Sequence, residues 1–162
     1  MVLALLGLMA GLIVSRVDLL LPAYRLRLAG REIAATVTWA RSESLGSARA
    51  VALRYDVADG EYWVAQPAEG VPSASAFEPP DRRLRLKKLP EGVRFDGVAL
   101  FGTEAPARDS ALVRFSALGA CAGHRVYLSD GEGNAFTVEV MPLAAQVNLY
   151  DSHREDDHAA AP

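Results

Sequence analysis

Hydrophobic and polar positions divide this chain into three stretches. Residues 1–14 carry no charged side chain, and Gly7 and Gly11 alone interrupt the apolar run. From Arg16 onward charge enters, while Leu26, Ala29, Ile33, Val37 and Ala40 recur at steps of three and four. That spacing is one face of an α-helix. The helix is expected to end near Leu45-Gly46-Ser47, where glycine can take the left-handed conformation that closes a last turn. Pro22 falls inside it and predicts a bend rather than a break. Gly30 is a second weak point.

Beyond the helix the period becomes two. Alternation predicts strands over residues 49–57, 61–65, 83–88, 93–100, 111–116, 125–128, 135–141 and 146–150. Asp59-Gly60 between the first two is a strong hairpin signal. Asp130-Gly131-Glu132-Gly133-Asn134 joins two later strands, and residues 67–80, polar and proline-rich, read as a loop. The expected architecture is α+β: a long N-terminal helix whose second half packs on an antiparallel sheet or a pair of sheets. Its parts are a membrane or polymerisation segment (1–21), an amphipathic stem (22–47), a β-rich head (48–150) and a disordered acidic tail (151–162).

The length of the apolar run changes the picture. Fourteen helical residues span roughly 21 Å, whereas a bilayer core is about 30 Å thick. No basic residue precedes the run, so it is not an ordinary secretory signal. It reads either as a core helix that starts the chain or as a membrane anchor preceded by further residues. The unbroken continuation of the helical pattern favours the anchor, with Val2, Leu3, Leu5, Leu6, Leu8, Leu12, Ile13 and Val14 as the membrane and assembly surface.

Composition narrows the function. The 162 residues suffice for one ordinary core. A net charge of −3 argues against generic affinity for nucleic acid or acidic lipid. The single cysteine, Cys121, cannot form an internal disulfide. Cys121, His124, Asp109 and Ser110 have no spacing that supports a nucleophile with an oriented base, so no catalytic residue is assigned. Asp130, Glu132 and Asn134 alternate like calcium ligands but lack the rest of that loop, and a hairpin turn explains them more simply. His153, His158, Asp151, Glu155, Asp156 and Asp157 read as a solvated tail rather than a metal site. No cofactor is expected. The sharpest non-structural candidate is the basic stretch at residues 82–88. There Arg83, Arg85 and Lys87 are expected to share one strand face, either as a charged edge that resists aggregation or as a contact for acidic partner subunits or for DNA phosphates.

The order of these features resembles the GspH/FimT group of type IV pilin-like proteins. Arg31-Glu32-Ile33-Ala34-Ala35-Thr36-Val37-Thr38-Trp39-Ala40-Arg41-Ser42-Glu43-Ser44 is similar to the group's helix-ending pattern. Ala50 to Val64 is similar to its first hairpin with a Trp-containing return. Leu89-Pro90-Glu91-Gly92-Val93 resembles its "Leu-Pro-x-Gly-Val" strand start. Val113-Arg114-Phe115 and Val126-Tyr127-Leu128-Ser129-Asp130 resemble its last hairpins. Members begin with a short leader, Gly, then Phe-Thr-Leu-Ile-Glu; if Met1 follows that glutamate, about five mature residues precede it and the anchor reaches a bilayer span. The group's Thr-Gly-Arg-Val is Ala144-Ala145-Gln146-Val147 here.

The resemblance implies a minor pseudopilin of a type II secretion system. Such a subunit sits at or near the tip of a periplasmic fibre, with its helix in the inner membrane before assembly. The implied partners are other minor pseudopilins, the major pseudopilin and a prepilin peptidase acting on a leader. A minor pilin of a type IV pilus, including one for DNA uptake, is the alternative. Nucleic acid is not the expected partner, since the C-terminal residues from Asp151 carry four acids against Arg154 alone. A third reading is an unrelated membrane-anchored β-rich binding protein.

Overall fold

The computed structural model describes residues 2–66 and 82–153, with side chains of the N-terminal helix described from residue 22 onward. The loop expected over residues 67–80 and the tail from residue 154 lie outside the described residues. Helix α1 runs as one element from Val2 to Ser47, and Pro22 sits inside it without ending it. Leu26, Ala29, Ile33, Val37 and Ala40 are all buried, so the three-and-four spacing marks the core-facing stripe. The helix closes differently from expectation. Ala48, not Gly46, takes the positive φ (51°) just past the last turn. The chain must reverse there to start the first strand, and that geometry overrides residue preference.

Among the described residues eight strands follow: β1 (Val51–Asp56), β2 (Glu61–Gln66), β3 (Arg82–Lys88), β4 (Val93–Leu100), β5 (Ser110–Phe115), β6 (His124–Asp130), β7 (Ala135–Val140) and β8 (Val147–Tyr150). They form two four-stranded antiparallel sheets, ordered β3-β2-β1-β5 and β4-β6-β7-β8. The stem helix lies against both. One continuous core joins Ile33 and Val37 of the helix to Leu53, Tyr55 and Val113 of the first sheet and to Val126, Leu128 and Val138 of the second.

Gly30 is a packing residue rather than a weak point. A Cβ there would overlap the ring of Phe136, so only glycine lets the helix approach β7 this closely. Between the sheets, Tyr55 stacks on Tyr62 and meets Phe95 edge-on. The Tyr55 hydroxyl lies 3.2 Å from Nε2 of His124, linking one sheet to the other.

The helix direction gives the head two ends. The stem-side end carries the β1–β2, β3–β4 and β6–β7 turns and residues 151–153. The far end, where the helix finishes, carries residues 45–50, 116–123 and 141–146.

Candidate assembly surfaces

The helix meets the head through one stripe and leaves another to solvent. Tyr24, Leu28, Arg31, Ala35, Thr38 and Ser42 all face outward, spaced by three and four. Tyr24 and Leu28 are large apolar groups held in water, which a helix closed on its own domain does not need. The anchor positions Val2, Leu3, Leu5, Leu6, Leu8, Leu12, Ile13 and Val14 continue the same helix in backbone, and their side chains lie outside the described residues. Among the described residues no helix is long and apolar enough to cross a membrane.

The basic strand departs from expectation. Arg83, Arg85 and Lys87 do not share a face, because a β-bulge interrupts the β2–β3 register between Tyr62 and Val64. Arg85 is the residue that absorbs it, with φ at 50°. One extra residue shifts the period-two alternation by one, so side chains beyond it swap sides. Arg83 stacks over Trp63 on the outer face, 4.2 Å from the ring centroid. Arg85 instead lies 4.8 Å over Trp39 of the helix, and Lys87 donates to Glu32 of the helix at 2.7 Å. Glu43, one turn beyond Trp39, accepts from Gln66. The stretch therefore ties the edge strand to the helix flank formed by Glu32, Trp39 and Glu43. The sequence carries a signal for this: Glu32, Trp39 and Glu43 recur at seven and four along the helix, matching basic and polar groups on the facing strands.

The remaining titratable candidates are spent within the fold. Burial pushes the His124 imidazole down to about 4, opposed only by its hydrogen bond with Ala122. Its Nδ1–H donates to the Ala122 carbonyl at 3.1 Å, which leaves Nε2 to accept the Tyr55 hydroxyl proton. Burial also raises the Cys121 thiol, partly offset by Arg41, so this cysteine is a poor nucleophile. Asp109 and Ser110 lie at the stem-side end, where Ser110 pairs with Asp56, while Cys121 and His124 lie at the far end.

Asp130 serves its own turn. One carboxylate oxygen accepts the Glu132 and Asn134 amides, and the other accepts the Asn134 side chain at 2.7 Å. Burial raises the Asp130 carboxyl, but these bonds outweigh it and hold it below its usual range. On the outer face of β6 and β7, Arg125 and Glu139 form a 2.8 Å pair whose side chains are 8% and 7% exposed. Burial works against the Glu139 charge, yet bonds from Arg125, Tyr150 and Asn148 keep its pKa low.

Asp151 and His153, grouped above with the tail, belong to the head. Asp151 makes a two-pronged bond with Arg27 at 2.9 and 3.1 Å. The Ser152 carbonyl accepts from Thr137 at 2.6 Å. His153 meets Asp96 at 3.2 Å and packs edge-on to Tyr127. The boundary thus moves to His153, because these two side chains and one carbonyl find partners on the helix and second sheet. His158, Glu155, Asp156 and Asp157 lie outside the described residues.

A helix laid along two antiparallel sheets has the pilin-like, GspH/FimT-type fold of the solved structures it matches. The particular structures it matches are pilus and pseudopilus subunits. The chain is similar to E. coli GspH, with a TM-score of 0.59 and 13% identity over 85% of this chain and 94% of that one. It is also similar to the minor pseudopilin EpsH from the Type 2 Secretion System of Vibrio cholerae, with a TM-score of 0.58 and 12% identity over 82% and 97%. The type IV minor pilin FimU of Pseudomonas aeruginosa matches with a TM-score of 0.50 and 14% identity over 77% and 87%. No protein-family model matches the sequence, and no curated protein sequence does. At such identities the likeness is one of fold.

Proposed function

We propose that this protein is an assembly subunit of a pilin-like fibre, specifically a minor pseudopilin of a type II secretion system acting at or near the fibre tip. The observation that carries the reading is the single helix Val2–Ser47, apolar in sequence at its start and built into a two-sheet head at its end. In this reading the apolar segment holds the subunit in the inner membrane, with the head in the periplasm. On leaving lipid it must bury its surface against the helices of neighbouring subunits. Each large side chain so buried contributes roughly 1.5–3 kcal/mol, which drives assembly without any bond being made or broken. Tyr24 and Leu28 extend that contact stripe onto the stem. The role requires no active site, and the protein is proposed not to be an enzyme. Its proposed partners are other minor pseudopilins and the major pseudopilin, with a prepilin peptidase acting on a leader.

The second reading is a minor pilin of a type IV pilus, supported by the likeness to FimU. Its DNA-uptake version loses support, because Arg83, Arg85 and Lys87 are occupied within the chain. The test is fractionation of the tagged native gene product. The assembly reading expects it with inner membranes and in sheared fibres, and expects a version lacking residues 2–14 to become soluble. A native product that is soluble and monomeric, and absent from fibres, refutes it. Loss of protein export or of pili on deleting the gene separates the two versions.

A further inference from the structure

Arg41 has no counter-charge among the described residues. Near the end of α1 its stem lies along Gly119, where a Cβ would fall 3.1 Å from Cγ of Arg41 and 3.1 Å from Cγ of Leu45. The Arg41 Nε is closed off from solvent and has no hydrogen-bond acceptor. Glu43 accepts from Gln66 instead. Glu104 is exposed at the same end of the head, yet no ion pair joins it to Arg41. Burial holds the neighbouring Cys121 as a thiol, so it supplies no negative charge. A guanidinium cannot shed its proton, and a buried donor without an acceptor costs free energy. The other buried charges are matched: Arg125 by Glu139, and Asp130 by the donors of its own turn.

The ground around Arg41 is apolar and uncovered. Leu118 is 84% exposed, Leu143 74% and Leu45 49%. Leu118 precedes Gly119, and the Leu143 amide donates to the Cys121 carbonyl, so three segments of the chain meet beside the Arg41 side chain. Leu143 holds a positive φ of 65°, which favours glycine or asparagine. Neither local backbone preference nor burial within this chain accounts for a leucine there.

We propose that Arg41, with Leu45, Leu118 and Leu143 around it, receives a carboxylate flanked by apolar side chains on a different subunit of the fibre. Charge complementarity sets the chemistry of the occupant. What this surface lacks is an acceptor for a guanidinium, and a carboxylate fills that need with paired, charge-assisted bonds. The leucines then keep water from the pair, and arginine is among the residues enriched in such interfaces. Copies of this chain joined head to tail would propagate, so a subunit acting at the tip calls for a neighbour of another kind. The contact rests on the assembly reading and deepens it, giving the head a surface that selects its neighbour.

The test uses the full-length protein in detergent micelles, titrated by calorimetry with each other pilin-like subunit encoded in the same gene cluster. At least one is expected to bind, more weakly as salt rises. Arg41→Met should weaken that binding about tenfold or more and flatten its salt dependence. Thermal stability should meanwhile hold or rise, because no bond within the chain is lost. A merely structural arginine would do the reverse, lowering stability and leaving binding alone. Arg41→Glu should abolish binding, and one Asp→Arg or Glu→Arg exchange on the partner should restore it. Leu143→Asn suits the left-handed backbone, so it should keep the fold while weakening the complex. The proposal is overturned if no subunit binds, if Arg41→Met binds as the native protein does, if no charge exchange on the partner rescues Arg41→Glu, or if this chain binds only its own copies. Membrane and fibre fractionation reads the parent proposal separately: failure there leaves binding in micelles to be judged by itself, and failure here leaves the anchor reading intact.

Discussion

Acidification should weaken this fold through one buried ring. His124 sits between the sheets with Nδ1–H bonded to the Ala122 carbonyl and Nε2 bonded to the Tyr55 hydroxyl, and its pKa is lowered to about 4. In the unfolded chain the ring titrates near 6.5. Between those values the unfolded state binds a proton that the folded state refuses. Stability therefore falls as pH drops through this window and is fully retained above it. One pKa unit corresponds to about 1.4 kcal/mol, so moving from pH 7 to about pH 5 should cost about 2 kcal/mol, with a limit of about 3 below the folded value. Glu139 and Asp130, whose pKa values are also lowered, lose their contributions only below the ordinary carboxylate range. Urea unfolding of the purified protein at pH 7, 6 and 5 measures the slope. A His124→Leu variant should start less stable, because the Tyr55 hydroxyl loses its partner, but should show a flatter slope. Nitrogen-detected NMR of the ring should show a neutral Nδ1–H tautomer that does not titrate above about pH 5. A slope unchanged by His124→Leu, or a ring that titrates near its ordinary value, would refute the argument.

Other outcomes follow from single contacts. Gly30→Ala forces Phe136 off its seat and should destabilise by about 1–3 kcal/mol; Phe136→Leu in the same chain should recover part of the loss in thermal melts. Glu139→Gln leaves the buried Arg125 charge without its counter-ion and should cost about 3–5 kcal/mol by urea unfolding. Lys87→Ala breaks a solvent-exposed bond to Glu32 and should cost under about 1 kcal/mol, less in high salt. Leu8→Arg with Leu12→Arg should leave the melting of the head unchanged while removing the protein from the membrane fraction.

The alternation of hydrophobic and polar residues was enough to place all eight strands of the described residues and the buried stripe of the helix. Burying one face of a strand or helix demands that period, and the demand is written locally. Asp59-Gly60 and residues 130–134 likewise announced their turns, because a tight reversal needs glycine and a short polar side chain. The basic strand was misjudged for a reason of the same kind. A bulge is one residue out of step, set by how β3 must meet both β2 and the helix, and nothing in Arg83 to Lys87 marks it. Gly30 looked like a flaw because its neighbour Phe136 is 106 residues away in sequence.

What the sequence alone determined, then, is the division into apolar start, amphipathic stem and alternating head, since each follows from the company a residue keeps within a few positions. Tertiary structure alone decided which sheet each strand joined, that His124 would be neutral against Tyr55, and that Arg83 would turn outward while Arg85 and Lys87 turn to the helix. Those outcomes depend on groups brought together from distant parts of the chain, where burial and pairing outweigh local preference.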